Sequence, residues 1–374
     1  MGRWVRKWFL EVPAGARQGH LLTLDGLRGL AVLIVLGSHF SNAGWLRFPN
    51  LSGTGKSGVY LFFVLSAYLL AHAMLAQPLA GMASGRYWAN YALRRVLRIW
   101  PLYLVLLLGS WCLTRAGVGI WHYQMDTAAL FGHLALRQGM SSLWSIPVEF
   151  IFYFWLPFIA AALLALRQLP GGRWWGAGLL VALVFWARWR WPAAEAPTGG
   201  VKLGFYLVLF LCGIGAAWVQ LCWSSLSRER AAWRVVAWVL LGVLVLVTPS
   251  VWVRLAGGGF NPELNHRWFT AFGIGWGLLI LALLWGGGAL ARLFASAPMR
   301  LMGVVSYSVY LWHMPVLQVA DALGVRGWGG WGLLTLLVAV LLVSMGSFLL
   351  FERPWRDVRL VSAPTRTQVN TAAQ

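Results

Sequence analysis

Long apolar runs recur along the whole chain, and they constrain the fold more than any other feature of the sequence. Ten of them approach or exceed the roughly 20 residues that a helix needs to cross the hydrocarbon core of a bilayer. They occupy approximately residues 24–44, 57–76, 99–115, 145–166, 175–191, 203–222, 233–253, 268–286, 301–322 and 329–350. Only helices and closed barrels satisfy their backbone in lipid, and these runs are too long and continuous for barrel strands. The sequence therefore predicts an all-α, polytopic integral membrane protein with about ten transmembrane helices.

The charge balance fits this class and fixes a topology. The chain is 60% hydrophobic and only 11% charged, with a net charge of +20, whereas soluble domains carry about 25% charged residues. In such an apolar chain we interpret the excess of arginine as positive-inside topology and contact with anionic lipid headgroups, not as nucleic-acid binding. An even number of spans places both termini on one side. The basic N-terminal tail and a roughly two-to-one excess of basic residues in the same-side loops indicate the cytoplasm.

The chain divides into three predicted regions. Residues 1–23 form a basic cytoplasmic tail, residues 24–356 the transmembrane domain, and residues 357–374 a cytoplasmic tail with the polar composition of a disordered segment. No internal repeat supports an inverted-repeat transporter.

The first apolar run carries the most informative polar residues. Asp25 and Arg28 lie near its start and His39 near its end. Charged groups in hydrocarbon are costly and persist where they face a partner, a cavity or a substrate. Arg28 and His39 are 11 positions apart, which is close to three helical turns, so the two side chains share a face about 16 Å apart along the axis. The same stripe therefore presents an acid, a permanent cation and a titratable base.

A carboxylate on the fourth run lies at the depth of His39. In the predicted topology, His39 and Glu149 both lie roughly 7 Å below the outer interface. A carboxylate beside an imidazole fixes its tautomer and raises its basicity, as a general base requires. We therefore predict that Glu149 orients His39, with a purely structural His–Glu pair as the alternative.

A second group of cations is predicted on the cytoplasmic side. Arg94, Arg95 and Arg98 lie in RRVLRIWPLY at the inner end of the third span, and arginine binds phosphate through two parallel hydrogen bonds. An ordinary positive-inside cluster would look the same. A buried Arg28 on the same side also needs an anion, which either Asp25 or a bound phosphate would supply. Cations suited to phosphate thus lie inside, and an acid–base pair lies outside.

Weaker candidates lie near the C-terminal end. Tyr307 and His313 in VSYSVYLWHMPV place polar groups at mid-membrane and would line a substrate cavity, although a structural role for His313 is an equal alternative. In FERPWR, Glu352 and Arg353 are expected to form a local salt bridge. The histidine and cysteine spacings match no metal-binding motif, so no metal site is predicted.

Taken together, these motifs resemble the membrane-bound acyltransferase-3 family of bacterial O-acyltransferases. The resemblance covers about residues 24–356 and rests on six motifs in order: LDGLRGLAVLIVLGSH, FFVLSAYLL, RRVLRIWPLY, LWSIPVEFIFYFWLP, VSYSVYLWHMP and FERPWR. The chain departs from the family in having a single acid, Glu149, where two adjacent acids are common, and Ala67 where glycine is usual.

The resemblance implies a ten-helix enzyme of the bacterial inner membrane. Its members transfer an acyl group, usually acetyl from acetyl-CoA, to a hydroxyl of a sugar or lipid-linked glycan of exopolysaccharide, O-antigen or glycolipid. It also implies that Arg28 and His39 are essential and that Arg95 and Arg98 lie near the donor. Other polysaccharide-assembly proteins are then possible partners.

Two roles for His39 stay open at this stage. It either deprotonates the acceptor hydroxyl or is transiently acylated. We expect Arg28, Arg94, Arg95 and Arg98 to bind acyl-CoA, and Asp25 to contact substrate. The rival interpretation is a proton-coupled or polysaccharide transporter that uses the buried histidines and Glu149 as a relay.

Overall fold

Helices account for most of the chain that the structure, a computed structural model, describes: residues 6–10, 18–197, 199–247, 249–257, 268–356 and 358. A short π-helical turn, Arg6–Leu10, comes first. The α-helices that follow in chain order are α1 Gln18–Asn42, α2 Gly55–Leu75, α3 Gly85–Arg115, α4 Thr127–Leu134, α5 Ser145–Arg167, α6 Gly172–Arg190, α7 Leu207–Cys222, α8 Arg230–Leu246, α9 Pro249–Ala256, α10 Phe269–Gly286, α11 Gly288–Phe294, α12 Ala297–Val304, α13 Ser306–Ala322 and α14 Gly330–Ser347.

The predicted fold class is confirmed. The structure is 82% helical, and its described residues contain no strand. All ten predicted runs are helical where they are described, and seven helices are long and apolar enough to cross a membrane. The helices in the other three runs, α6, α8 and α13, are not among those seven. The count of ten spans and the cytoplasmic placement of both termini remain predictions.

The region boundaries also remain predictions. Most of the predicted N-terminal tail, residues 1–5 and 11–17, lies outside the described residues, and so does nearly all of the C-terminal tail from residue 357 onward. The third helix begins well before the predicted span, at Gly85, so the arginines of RRVLR lie within α3 and not at its end. Arginine is a good helix former, which favours this extension beyond the apolar stretch.

Helix α2 is the centre of the bundle. It packs against α1, α5, α7 and α10, and most of its side chains are buried, including Tyr60, Phe63 and Val64. One apolar core surrounds α2, and a second lies between α1, α13 and α14. Helix α1 contributes to both cores, with Leu27 and Ala31 in the first and Val32 and Leu36 in the second. The helix that carries Arg28 and His39 is therefore held from two sides.

Helices α1 and α12 approach each other so closely that the contact requires glycine. A Cβ atom added to Gly303 would lie 1.7 Å from the carbonyl oxygen of Asp25. A Cβ on Gly26 would lie 1.8 Å from the carbonyl oxygen of Phe294, at the end of α11. Small residues allow such backbone contact between membrane helices. The contact fixes the start of α1 against the segment that carries Arg300.

Candidate active site

Three of the predicted arginines line one cavity inside the bundle. The cavity has a volume of about 110 Å³ and lies between α1, α2, α3, α5 and α13. Its walls combine charged and hydroxyl groups with apolar side chains. The lining residues are Arg28, Val59, Phe62, Phe63, Ser66, Leu69, Leu70, Arg95, Arg98, Ile99, Ser145, Ile146, Glu149, Tyr153, Ser306, Tyr307 and Tyr310. We call this space the central cavity.

Glu149 belongs to the central cavity, and its direct pairing with His39 is wrong. One carboxylate oxygen, Oε1, accepts hydrogen bonds from Ser66 Oγ at 2.6 Å and from Tyr153 Oη at 2.5 Å. The carboxylate thus faces α2 and shares the cavity with the arginines. Hydropathy predicts how far along its helix Glu149 lies but not the direction in which α5 presents it. The predicted division between inner cations and an outer acid therefore does not hold for Glu149.

The ion pair predicted between Glu352 and Arg353 is also wrong. Arg98 Nη1 lies 2.8 Å from Glu352 Oε2, and Ser308 Oγ donates to Glu352 Oε1 at 2.5 Å. Arg353 instead places its guanidinium carbon 4.0 Å from the ring centroid of Trp8. The π-helical turn Phe348–Glu352 directs the buried carboxylate into the bundle, where it meets the arginine of α3.

The other cations differ in how well they are satisfied. Arg28 Nη1 lies 3.6 Å from Asp25 Oδ1, one turn earlier on α1, so the internal anion considered for Arg28 is present. Arg95 packs over the rings of Tyr91 and Tyr153, and its Nε atom is buried without a hydrogen-bond partner among the described residues. A buried donor without a partner is costly, so Arg95 is suited to an incoming anion.

A larger cleft adjoins the central cavity at the end of the bundle that the predicted topology places in the cytoplasm. It has a volume of about 550 Å³ and shares Arg28 and Arg95 with the cavity. Its walls are basic and aromatic. The lining residues are Phe9, Leu10, Asp25, Arg28, Leu69, Leu70, Ala73, Met74, Gln77, Tyr87, Asn90, Tyr91, Arg94, Arg95, Arg300, Val304 and Arg356. We call this space the inner cleft.

Arg300 and Arg356 in the inner cleft were not predicted as site residues. From the sequence they were counted only as basic residues on the predicted cytoplasmic side. Arg300 Nη2 donates to the carbonyl oxygen of Leu10 at 2.9 Å, and Arg300 Nε is buried without a partner in the described part of the chain. Like Arg95, it presents an unused donor beside a space large enough for a ligand.

His39 and His313 lie side by side, away from the lining of both spaces. Their ring centroids are 5.0 Å apart, and the planes are inclined by 51°. The ring of Tyr310 lies 6.0 Å from that of His313 and also lines the central cavity. Tyr310 therefore lies next to both His313 and the central cavity. The predicted residue Tyr307 lies in the cavity wall, where its hydroxyl donates to the Ile99 carbonyl oxygen at 2.9 Å.

Some of the unpredicted contacts had signals in the sequence. Tyr153 follows Glu149 by four residues, so the two side chains meet on one face of α5. Ser66 is a polar residue in a predominantly apolar run. The proximity of the His39 and His313 rings had no comparable signal in the sequence. It depends on how two helices that are distant in the chain are rotated about their axes.

Comparison with known proteins identifies the class to which this site belongs. A family model described as an acyltransferase domain matches residues 21–353. The chain therefore belongs to the acyltransferase-3 family, which confirms the resemblance, and it is a multi-pass membrane acyltransferase. No solved structure matches it.

Two relatives show how far the similarity extends. The chain is 28% identical over 362 residues to the "Putative membrane-bound transacylase BcsY" of Komagataeibacter xylinus, covering 89% of this chain and 82% of that protein. It is 22% identical over 364 residues to the peptidoglycan O-acetyltransferase OatA of Listeria monocytogenes, covering 89% of this chain. The aligned part spans 55% of the length of OatA.

Proposed function

We propose that the protein transfers an acyl group, in the simplest case acetyl, from cytoplasmic acyl-CoA to a hydroxyl of a periplasmic or lipid-linked sugar. Exopolysaccharide, O-antigen and glycolipid are the acceptor classes, and the bacterial inner membrane is the location. Family membership and the name of OatA support the acetyl group and a glycan acceptor.

The observation that carries the proposal is the basic inner cleft joined to the central cavity. CoA bears several phosphate charges, and arginine binds phosphate through paired hydrogen bonds. Arg94, Arg95, Arg300 and Arg356 line the cleft, and Arg28 lies where cleft and cavity meet. Tyr87 and Tyr91 add aromatic faces to the cleft wall. The phosphates would thus bind at the inner end, and the narrower cavity would admit the pantetheine arm.

The chemistry assigned to His39 is proton transfer. A neutral imidazole accepts the proton of the acceptor hydroxyl while its oxygen bonds to the thioester carbonyl carbon. The carbon–sulfur bond then breaks, and the CoA thiolate receives that proton. Acylation of His39, followed by transfer of the acyl group to the hydroxyl, is the alternative route and needs the same unprotonated ring nitrogen.

Radiolabelled donor tests the proposal directly. Inverted membrane vesicles from a host strain that contains its own glycans are supplied with [¹⁴C]acetyl-CoA, and label in the glycan fraction is measured. Wild-type vesicles should transfer label, and vesicles with His39→Ala should not. Acetate released by mild alkali from the surface polysaccharide of a deletion strain gives a second measurement in whole cells.

A matched variant separates chemistry from membrane insertion. His72→Ala alters a half-buried histidine of α2 that lines neither space, so it should transfer label like the wild type. Normal acetyl content in the His39→Ala strain would refute the assigned role. Glycan transport by wild-type vesicles without consumption of acetyl-CoA would favour the transporter instead.

A further inference from the structure

The side chain of His313 is held in one orientation by its own helix. Its Nδ1 atom lies 2.7 Å from the carbonyl oxygen of Tyr310 and 3.2 Å from that of Val309. Carbonyl oxygens only accept hydrogen bonds, so Nδ1 carries the proton. In the neutral ring, Nε2 is then a hydrogen-bond acceptor.

This acceptor is buried and unused. His313 has no exposed surface, and its Nε2 atom has no hydrogen-bond partner among the described residues. Buried polar atoms are nearly always paired, so an exception calls for an explanation. The nearest ring is that of His39, with the centroids 5.0 Å apart.

The distance between the rings fits a hydrogen bond that needs only a small rotation. Two imidazoles joined by an N–H···N bond of about 3 Å have centroids roughly 5 Å apart. The two helices are fixed relative to each other because Val32 and Leu36 of α1 and Val309 of α13 belong to one buried core. The backbone therefore keeps the rings within reach, and rotation of the half-buried His39 ring closes the contact.

We propose that His313 is the positioning residue for His39. Its Nε2 accepts a hydrogen bond from one ring nitrogen of His39, which leaves the other nitrogen as the acceptor for the sugar hydroxyl. His313 thereby fills the place that the sequence assigned to Glu149. When His39 takes the hydroxyl proton, the neutral His313 stabilises the resulting imidazolium until the proton passes to the CoA thiolate. His313 itself does not touch the reacting atoms. This inference rests on the proposed acyl transfer.

Two amide substitutions test the role of Nε2 specifically. The amide of His313→Gln reaches the position of Nε2, whereas that of His313→Asn reaches only the position of Nδ1. We expect Gln to keep a measurable transfer rate and Asn to lose it, with a difference of about tenfold or more. His313→Leu, which has no acceptor, should lower the maximal rate by about 100-fold. The acetyl-CoA concentration that gives half the maximal rate should not change in any of them.

The vesicle assay with [¹⁴C]acetyl-CoA separates the possible outcomes, with rates normalised to the amount of protein in the membrane. His72→Leu, the matched control on α2, should behave like the wild type. The proposal is overturned if His313→Asn equals or exceeds His313→Gln, or if the Leu variant stays within about twofold of the wild type. Absence of transfer by the wild type overturns the proposed function, and this inference with it. If His39→Ala abolishes transfer but His313→Asn remains active, the positioning role of His313 is overturned and the proposed function is not.

Discussion

The ion pair between Arg98 and the buried carboxylate of Glu352 gives the sharpest test of how the site is built. Substituting Glu352 by Ala removes a carboxylate that is 5% exposed and that holds both Arg98 and Ser308. Arg98 then remains in the cavity wall without its counter-charge, and Ser308 loses its acceptor. The substitution should therefore destabilise the fold as well as disturb the donor site.

The magnitude follows from the distance and the exposure. At 2.8 Å, two unit charges attract by roughly 6 kcal/mol at an effective dielectric constant of about 20. Removing one partner of a buried pair typically costs about 3–5 kcal/mol, because the other charge is left unpaired. The Arg98 side chain is 37% exposed, and the remaining solvation favours the lower end of that range, about 3 kcal/mol.

Thermal unfolding of the purified protein in detergent, followed by circular dichroism, measures this loss. Glu352→Ala should lower the unfolding midpoint by roughly 5 °C or more. Glu229→Ala removes an exposed carboxylate at the start of α8 and should leave the midpoint unchanged. The double variant Arg98→Met, Glu352→Leu should recover most of the stability without recovering transfer, since the unpaired charge is gone. An unchanged midpoint for Glu352→Ala would refute the reasoning.

Two further predictions concern the inner cleft and the outer loop. Arg300→Gln should raise the acetyl-CoA concentration for half-maximal transfer about tenfold or more, because the donor loses one charge-assisted hydrogen bond. The control Arg292→Gln changes an exposed residue of α11 and should leave this concentration unchanged. If both variants require the same acetyl-CoA concentration, Arg300 does not belong to the donor site. Burial lowers the pKa of His133 to about 4, while Met140 N–H donates to its Nε2 at 3.4 Å and its Nδ1 lies 3.0 Å from Tyr103 Oη. In the unfolded chain the pKa of His133 is about 6.5. The neutral, hydrogen-bonded His133 therefore contributes to the free energy of unfolding above pH 6.5, and this contribution is lost as the pH falls towards 4. The difference in unfolding midpoint between wild type and His133→Gln should therefore shrink from pH 7.5 to pH 4.5, and a constant difference would count against it.

Sequence reasoning gave positions along the helices more reliably than directions around them. The apolar runs predicted the helices, and residue numbers predicted how far along its helix each of Arg28, His39 and Glu149 lies. Which neighbour each side chain meets depends on the rotation of its helix, and that rotation is set by packing against distant segments. Glu149 consequently turned towards Ser66, and His39 lies beside a histidine from the far end of the chain.

Local pairs were predictable where they lie on one helix. Asp25 and Arg28 are three residues apart and do form an ion pair. The same local reasoning failed for Glu352, whose partner Arg98 is 254 positions away. The π-helical turn before Glu352 changes the angular spacing of side chains, so a pattern based on 3.6 residues per turn could not place the carboxylate.

The glycine contact between α1 and α12 has a consequence for donor selection. Arg28 and Arg300 stand on these two helices and face the same cleft. Their separation is set by two backbones in direct contact, so no change of rotamer can bring the helices closer, and any added side chain would drive them apart. The width of the cleft between α1 and α12 thus depends on the absence of a Cβ atom at Gly303. A methyl group added at Gly303 would push α12 away from α1 and so widen the cleft between Arg28 and Arg300.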